Sequence, residues 1–374
     1  MLPTEGATAV RAGAATEGGI LRRSAATVAP LAVGLAALAA GSVALAAVSS
    51  GFNNFVLTTL INLTIVVGLY VFIGTSGVLS FGHISFMAIG AYTAALTTIP
   101  TGQKQFILPN LPRFIAHAEL TTTESLLLAG VAAALAAVVV GVPLMRLNGI
   151  AAAIATLAAL VIVNVVASQW ASLTGGATAL VGVPVTTTAH SVLLWACAAV
   201  AVAWAFQRSR VGLRLRASRE DLIAARGAGI GIVGERLFAF VLSGFIVGVA
   251  GAIYGHYLGA FSPDQFYFHL TFFTLAMLVV GGISSLSGAV VGTLAISTVQ
   301  EILGRLENGE GVGPIHLNLR DGVTDAVLAI IVLVIMIVRP AGITGGRELS
   351  LPRPRRGPRV IAPSRPAASE REDA

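Results

Sequence analysis

An all-α integral membrane protein, a polytopic helical bundle of about eight to ten transmembrane segments with re-entrant or broken helices among them, is the fold class this sequence predicts. Three observations carry it. The 374 residues are 56% hydrophobic and only 11% charged, with a mean hydropathy of +0.87, which leaves too little charge to cover a soluble domain. Not one Asp, Glu, Lys or Arg occurs from Ser24 through Gln103. A charged island, Arg208 to Arg236, holds seven arginines and three acids between apolar runs.

Apolar runs long enough, or nearly so, to cross a hydrocarbon core of about 30 Å occur at 30–49, 54–73, 84–99, 125–145, 149–168, 191–206, 237–258, 268–283, 286–303 and 323–338. Those at 84–99 and 268–283 are short and Gly-punctuated, as re-entrant or broken helices are. Arginine clusters orient the chain, because basic short loops are retained in the cytoplasm. Arg11, Arg22 and Arg23 precede the first run, the island sits in the middle, and Arg339, Arg347, Arg353, Arg355, Arg356 and Arg359 follow the last. Six runs before the island and four after it place all three clusters, and both termini, inside. Arg146 also falls inside, and the loops at 100–124 and 169–190 face out.

The expected divisions are a cytoplasmic tail over 1–28, a polytopic domain over 29–345 containing a cytoplasmic loop at 207–236, and a Pro/Arg-rich disordered cytoplasmic tail over 346–374. A secretory signal peptide is the competing reading of the N-terminus, but the length of the first run and the immediate second one favour a membrane anchor. The basic excess reads as inside-positive topology rather than nucleic-acid binding.

What is absent narrows function. The only lysine is Lys104, preceded by Gln103, so no phosphate-binding G-K-[ST] loop can be written. The runs 125–145, 149–168 and 191–206 hold no acid, and between Leu237 and Gln300 the only one is Asp264, leaving few groups for proton or sodium coupling. No zinc-protease motif, nucleophile elbow or paired carboxylates appear, so no catalytic residue, cofactor or metal site is expected. The single Cys197 lies in an apolar run and reads as core packing.

Three local patterns stand out. In the island, Ser218 with Glu220 and Asp221 reads as a capped helix start, Leu222 to Ala225 as an apolar patch, and Gly227 or Gly229 as its stop. This predicts a short helix that either floats among headgroups or docks a cytoplasmic partner. Glycines 244, 248, 251, 255 and 259 form one helical stripe, and Gly288 with Gly292 repeats the spacing; both read as close helix packing. Gly74 to Ala94 mixes glycines with Ser76, Ser80, His83 and Ser85, as in a helix that breaks inside the membrane and turns free amides toward a cavity. His83, without a carboxylate nearby in sequence, reads as a hydrogen-bonded structural histidine more readily than a proton relay.

The segments GVLSFGHISFMAIGAYTA (77–94), RLNGIAAAIATL (146–157), TGG (174–176), GVP (182–184), the island, GGISSLSGAVVG (281–292) and RPAGITG (339–345) together resemble the membrane permeases of branched-chain amino acid ABC importers, M-type rather than H-type. The resemblance covers about residues 55–345 in order and spacing. It implies a transporter subunit of the bacterial plasma membrane, not an enzyme, moving a small polar solute by alternating access. It further implies a homologous second permease, two cytoplasmic ATPase subunits and an extracytoplasmic solute-binding protein.

On this resemblance the solute pathway is expected at Gly77, Ser80, Gly82, His83, Phe86, Gly90, Tyr92, Thr174, Gly175 and Gly176. Coupling to the ATPase falls to Arg214, Arg216, Arg219, Ala224, Ala225 and Gly229, the Ala-Ala-x-x-x-Gly stretch matching the family's coupling helix. Leu222 stands where an acid is usual, Ala151 and Ala152 where aromatics are, and Ala179 where a glycine is common. Urea and short amides use permeases of similar pattern. A stand-alone secondary carrier or channel, or a membrane scaffold, are the alternatives of a different class.

Overall fold

The computed structural model describes residues 50–307, 322–346 and 348. The expected segment at 30–49, the N-terminal arginines, the tail over 1–28 and nearly all of the tail over 346–374 lie outside them. The described residues are helical, with a single isolated β-bridge.

Helix α1, Ser50–Leu69, continues into one π-helical turn, Tyr70–Gly74, and the chain then leaves helical form until α2, His83–Thr98. Pro100 and the short α3, Thr101–Ile107, follow, bent 119° from α2. Helix α4, Thr122–Leu144, starts at a reciprocal cap: Thr121 Oγ1 accepts from the Glu124 N–H, and the Glu124 carboxylate accepts from the Thr121 N–H at 3.0 Å. Pro143 lies in its last turn, where a missing N–H and a rigid ring end helices.

Helix α5 is Gly149–Gln169 and α6 is Ala189–Arg208, the latter capped by Thr188 with Ser191. The island forms α7, Arg210–Glu220, and α8, Leu222–Gly227. Then come α9, Ile232–Leu258, α10, Phe268–Gly281, α11, Leu286–Glu307, and α12, Val323–Val338.

Six of these helices are long and apolar enough to span a bilayer, and the bent α2–α3 pair makes a seventh. Helices α10 and α12 have 14 and 16 residues, about 21 and 24 Å of rise, short of the roughly 30 Å hydrocarbon thickness. Among the described residues six or seven spans are thus full-length and the runs at 268–283 and 323–338 form shorter helices, the run at 30–49 lying outside them.

The glycine stripe explains the centre of the bundle. Helix α9 packs against α2 and α4. A Cβ added at Gly251 would lie 2.0 Å from the Met87 carbonyl oxygen, one at Gly90 2.0 Å from the Gly248 carbonyl oxygen, and one at Gly248 2.3 Å from the Ala133 methyl. In lipid, helices gain little from hiding apolar surface, so this backbone-to-backbone approach is what holds them together. Gly281, Gly288 and Gly292 do the same for α10 and α11.

Helices α1 and α9 form the interior, whereas α5 turns most of its apolar surface outward, Ile150, Ile154 and Ile162 among it.

The loops gather at two ends. At one end the island meets residues 74–77, the α4–α5 connection and the α10–α11 loop. At the other, Leu180 and Phe261 exchange backbone hydrogen bonds at 2.8 and 3.1 Å, and Thr122 Oγ1 donates to Thr186 Oγ1. The 100–124 and 169–190 connections thus share the end away from the charge.

Candidate functional site

The island is two helices hinged at one acid. Ser209 Oγ accepts from the Gly212 N–H at 3.1 Å and starts α7. Asp221 then starts α8, its Oδ1 accepting from the Ile223 and Ala224 N–H groups at 2.8 and 2.9 Å. The expected start at Ser218 is corrected: Ser218 is buried in the last turn of α7 and its hydroxyl donates back to the Leu215 carbonyl. The acid is the better cap, because a carboxylate accepts two amides at once beside the positive helix end. Gly229, at φ +78°, supplies the left-handed stop, and the Ile230 N–H reaches back to the Ala225 carbonyl at 3.2 Å. Gly227 is helical.

The apolar patch divides. Ala225 is buried against the bundle, while Ile223 is 83% exposed with Ala224 beside it, and a Cβ at Gly227 or Gly229 would meet open space.

The arginines turn inward. Arg216 Nη2 donates to the Tyr70 hydroxyl at 2.9 Å and to Gln207 Oε1 at 2.7 Å, and the Tyr70 hydroxyl itself donates to Gln207 Oε1 at 2.7 Å. One turn along α7, Arg219 Nη1 donates to the Gly74 carbonyl at 2.9 Å. Its stem covers Gly77, where any Cβ would sit 2.7 Å from Arg219 Cγ and where φ is +71°. Both arginines therefore grip the π-helical turn Tyr70–Gly74 and the break after it. The Gly74 carbonyl lies in the last turn before the break, where helix carbonyls lack intrahelical partners, and π turns gather at functional sites.

Arg214 pairs with Glu235 at 3.1 Å at the foot of α9. Arg236 Nη1 donates to Asn148 Oδ1 at 2.6 Å, tying in the α4–α5 connection. Nearby, RPAGITG closes the α10–α11 loop: the Ile343 N–H donates to the Val280 carbonyl, Thr344 Oγ1 donates to the Gly281 carbonyl, and Glu348 accepts from the Leu286 N–H at 2.9 Å.

The residues expected along the solute pathway separate into two groups. The break at 75–82 exists, but its polar groups turn inward: Thr75 and Ser76 donate to the Val71 and Phe72 carbonyls, and the Phe81 N–H donates to Thr156 Oγ1. Gly82 faces the Thr156 carbonyl, and Gly90 is a packing glycine of the α9 crossing. His83 is buried among Phe72, Phe86 and Phe240, with the Ser80 carbonyl as the polar group bearing on it. Neither ring nitrogen nor the Ser80 hydroxyl meets a partner at close hydrogen-bond geometry. Tyr92 packs on Phe261 with its hydroxyl unpartnered.

Thr174 donates to the Ala167 and Trp170 carbonyls, and Gly175 and Gly176 take left-handed φ values of +79° and +72° in the turn after α5. Thr156 touches the start of the first group and Ala167 the second, eleven residues or about 16 Å apart along α5, while Tyr92, farther along the first group, packs on Phe261, which bonds to Leu180.

Sequence reasoning missed Tyr70, Gln207 and Asn148. Each is a lone polar residue at the edge of an apolar run, and only the fold gives it a cation to meet.

The model of the permease component of the branched-chain amino acid transport system matches residues 54–338. The chain belongs to this permease family. It is 27% identical over 290 residues to the high-affinity branched-chain amino acid transport system permease protein LivM of Salmonella typhimurium and 28% identical to that of Escherichia coli K12, in each case over 68% of this chain. The permease spans 64% of the length of these relatives. Shorter similarity, 29% over 110 residues, reaches the autoinducer 2 import system permease protein LsrC of Yersinia pestis, covering 28% of this chain and 31% of LsrC. No solved structure matches this permease. Its relatives are named as transport permeases, and six or seven of its own helices are long and apolar enough to span a bilayer.

Proposed function

We propose that this chain is the membrane permease subunit of an ATP-driven importer for branched-chain amino acids or a similar small polar solute in a bacterial plasma membrane, with both termini cytoplasmic. It pairs with a homologous permease, receives solute from an extracytoplasmic binding protein, and is driven by two cytoplasmic ATPase subunits. The observation that carries this reading is the arrangement of the island. Helix α8 offers Ile223 and Ala224 outward, while α7, one residue away through Asp221, holds the π turn of the interior helix through Arg216 and Arg219.

A push on α8 is then delivered to Tyr70–Gly74 and so to α1, one of the two most buried helices. Alternating access needs such a rigid lever, because packed cores switch between discrete arrangements rather than deform continuously. The arginines assigned to coupling act from within as that lever, and Ala224 and Gly229 lie on the docking face.

Reconstitution in proteoliposomes with candidate partner subunits tests this. Leucine uptake that requires the ATPases and is lost in Gly229→Arg supports the reading. Uptake by the purified chain alone, down a gradient and without ATPase, assigns it to the stand-alone carriers instead. Urea or a short amide moved in place of leucine would retain the architecture and change the solute.

A further inference from the structure

Helix α6 leaves one stripe exposed along its length: Leu194, Ala198, Ala201, Ala205 and Arg208, spaced by three and four residues, with Val202 beside it. From Leu194 to Arg208 the stripe rises about 21 Å, more than one leaflet of a roughly 30 Å hydrocarbon core. It is apolar up to its last member, as a surface that meets acyl chains is.

Arg208 breaks the pattern. Its guanidinium carbon stands 4.2 Å from the centre of the Trp204 ring, one turn back along α6. Helical side chains lean toward the start of their helix, so this charge is carried about 6 Å back along the span, to the level of a Trp, instead of outward to water. Arg210, two residues on, opens α7 and is also exposed. Neither arginine makes an ion pair or a hydrogen bond through its side chain among the described residues, whereas Arg214, Arg216, Arg219 and Arg236 each donate to a partner.

Helix ends account for only half of this. Arg208 suits the negative end of α6, but Arg210 stands at the positive start of α7, where a cation is unfavourable unless an anion is held beside it. Two uncompensated guanidinium groups at headgroup level, continuing an apolar lipid-facing stripe, match a phosphate that carries acyl chains. Guanidinium groups bind phosphate oxygens in pairs, and Trp marks the membrane interface.

We propose that the corner between α6 and α7 is a binding site for an anionic phospholipid, its phosphate between Arg208 and Arg210 and one acyl chain along Ala205, Ala201 and Leu194. Gln207, next to Arg208, turns inward and accepts from the Tyr70 hydroxyl and Arg216. The lipid thus fixes on its outer side the corner that Gln207 fixes on its inner side. The site involves neither the solute nor the partner subunits.

The test melts the full chain in dodecylmaltoside against rising dioleoylphosphatidylglycerol. This lipid is expected to raise Tm, and dioleoylphosphatidylcholine at equal mole fraction to leave it unchanged. Arg208→Gln should raise the half-effective mole fraction about fivefold, and Arg208→Gln with Arg210→Gln about thirtyfold, the scale of one and two basic groups at an anionic surface. Trp204→Leu keeps every charge and should still weaken binding about threefold, because the ring that holds the guanidinium is gone. Arg226→Gln removes an equal charge from α8 and should change nothing. In the complete transporter, with Trp170 and Trp195 replaced by Phe, phosphatidylglycerol with brominated tails is expected to quench Trp204.

Equal stabilisation by both lipids, an Arg226→Gln effect as large as that of Arg208→Gln, or unchanged binding in Trp204→Leu would make this general surface attraction and overturns the proposal. Stabilisation by sn-glycerol 1-phosphate alone overturns it in favour of a free-phosphate site. A Trp204 shielded from brominated tails in the complete transporter overturns it in favour of a partner helix on this face. Should the double variant fail to fold, the quenching, scored with both arginines in place, decides.

Discussion

The two ends of the bundle treat their polar groups in opposite ways. At the island end, Arg214, Arg216, Arg219 and Arg236 each donate to a partner within the chain, and an apolar pair, Ile223 and Ala224, is left exposed. At the opposite end Ile61, Ile65 and Met87 are buried, and the buried Ser297 hydroxyl is without a hydrogen-bond partner. Satisfied buried hydrogen bonds rigidify. The island end is the one proposed above to transmit force. The glycine-packed shaft of α9 joins them.

The largest expected effect comes from breaking that shaft. Gly251→Leu forces atoms into the Met87 backbone, already 2.0 Å from a bare Cβ, and should cost more than about 3 kcal/mol. Both ends should fail together, seen as loss of folded, monodisperse protein in detergent.

Next is Arg219→Ala, which removes the bond to the Gly74 carbonyl and uncovers Gly77. A charge-assisted bond of this kind contributes about 1.5–3 kcal/mol, so a fall in Tm is expected with the opposite end unchanged. A smaller effect on stability, but a large one on partner association, is expected of Ile223→Asp. The side chain is 83% exposed, so folding should change by no more than about 0.5 kcal/mol, whereas copurification of the ATPase should be lost.

The smallest effect concerns Glu119, in the connection before α4. The Thr101 N–H, then the Thr101 hydroxyl, hold its carboxyl below the usual carboxylate range. Its support of the α3 turn is therefore full above that range and fades as pH falls through the lowered value. Glu119→Gln should remove this slight acid-side sensitivity from a melting profile and leave neutral-pH behaviour alone.

Much of the bundle was legible in the residues because membrane helices must be apolar and continuous. The run 125–145 with Thr121 and Glu124 ahead of it, the α9 glycines and the left-handed Gly229 all carry their structural role in local sequence. Ser218 misled because a hydroxyl three residues from an acid also fits the interior of a helix that an earlier Ser209 has already started. Where the 74–94 and 174–176 motifs lie along α5 depends on which helices neighbour one another, and no local pattern encodes that.

The central claim is that α7 carries motion from the docked α8 to the π turn of α1. It is tested most directly by the ratio of leucine imported to ATP hydrolysed in proteoliposomes holding the complete transporter with Arg216→Met and Arg219→Met combined. The account expects the ATPases to remain bound and to hydrolyse ATP while uptake per ATP falls by about tenfold or more, the scale of losing charge-assisted bonds from the lever. An unchanged ratio with both guanidinium groups removed would contradict it.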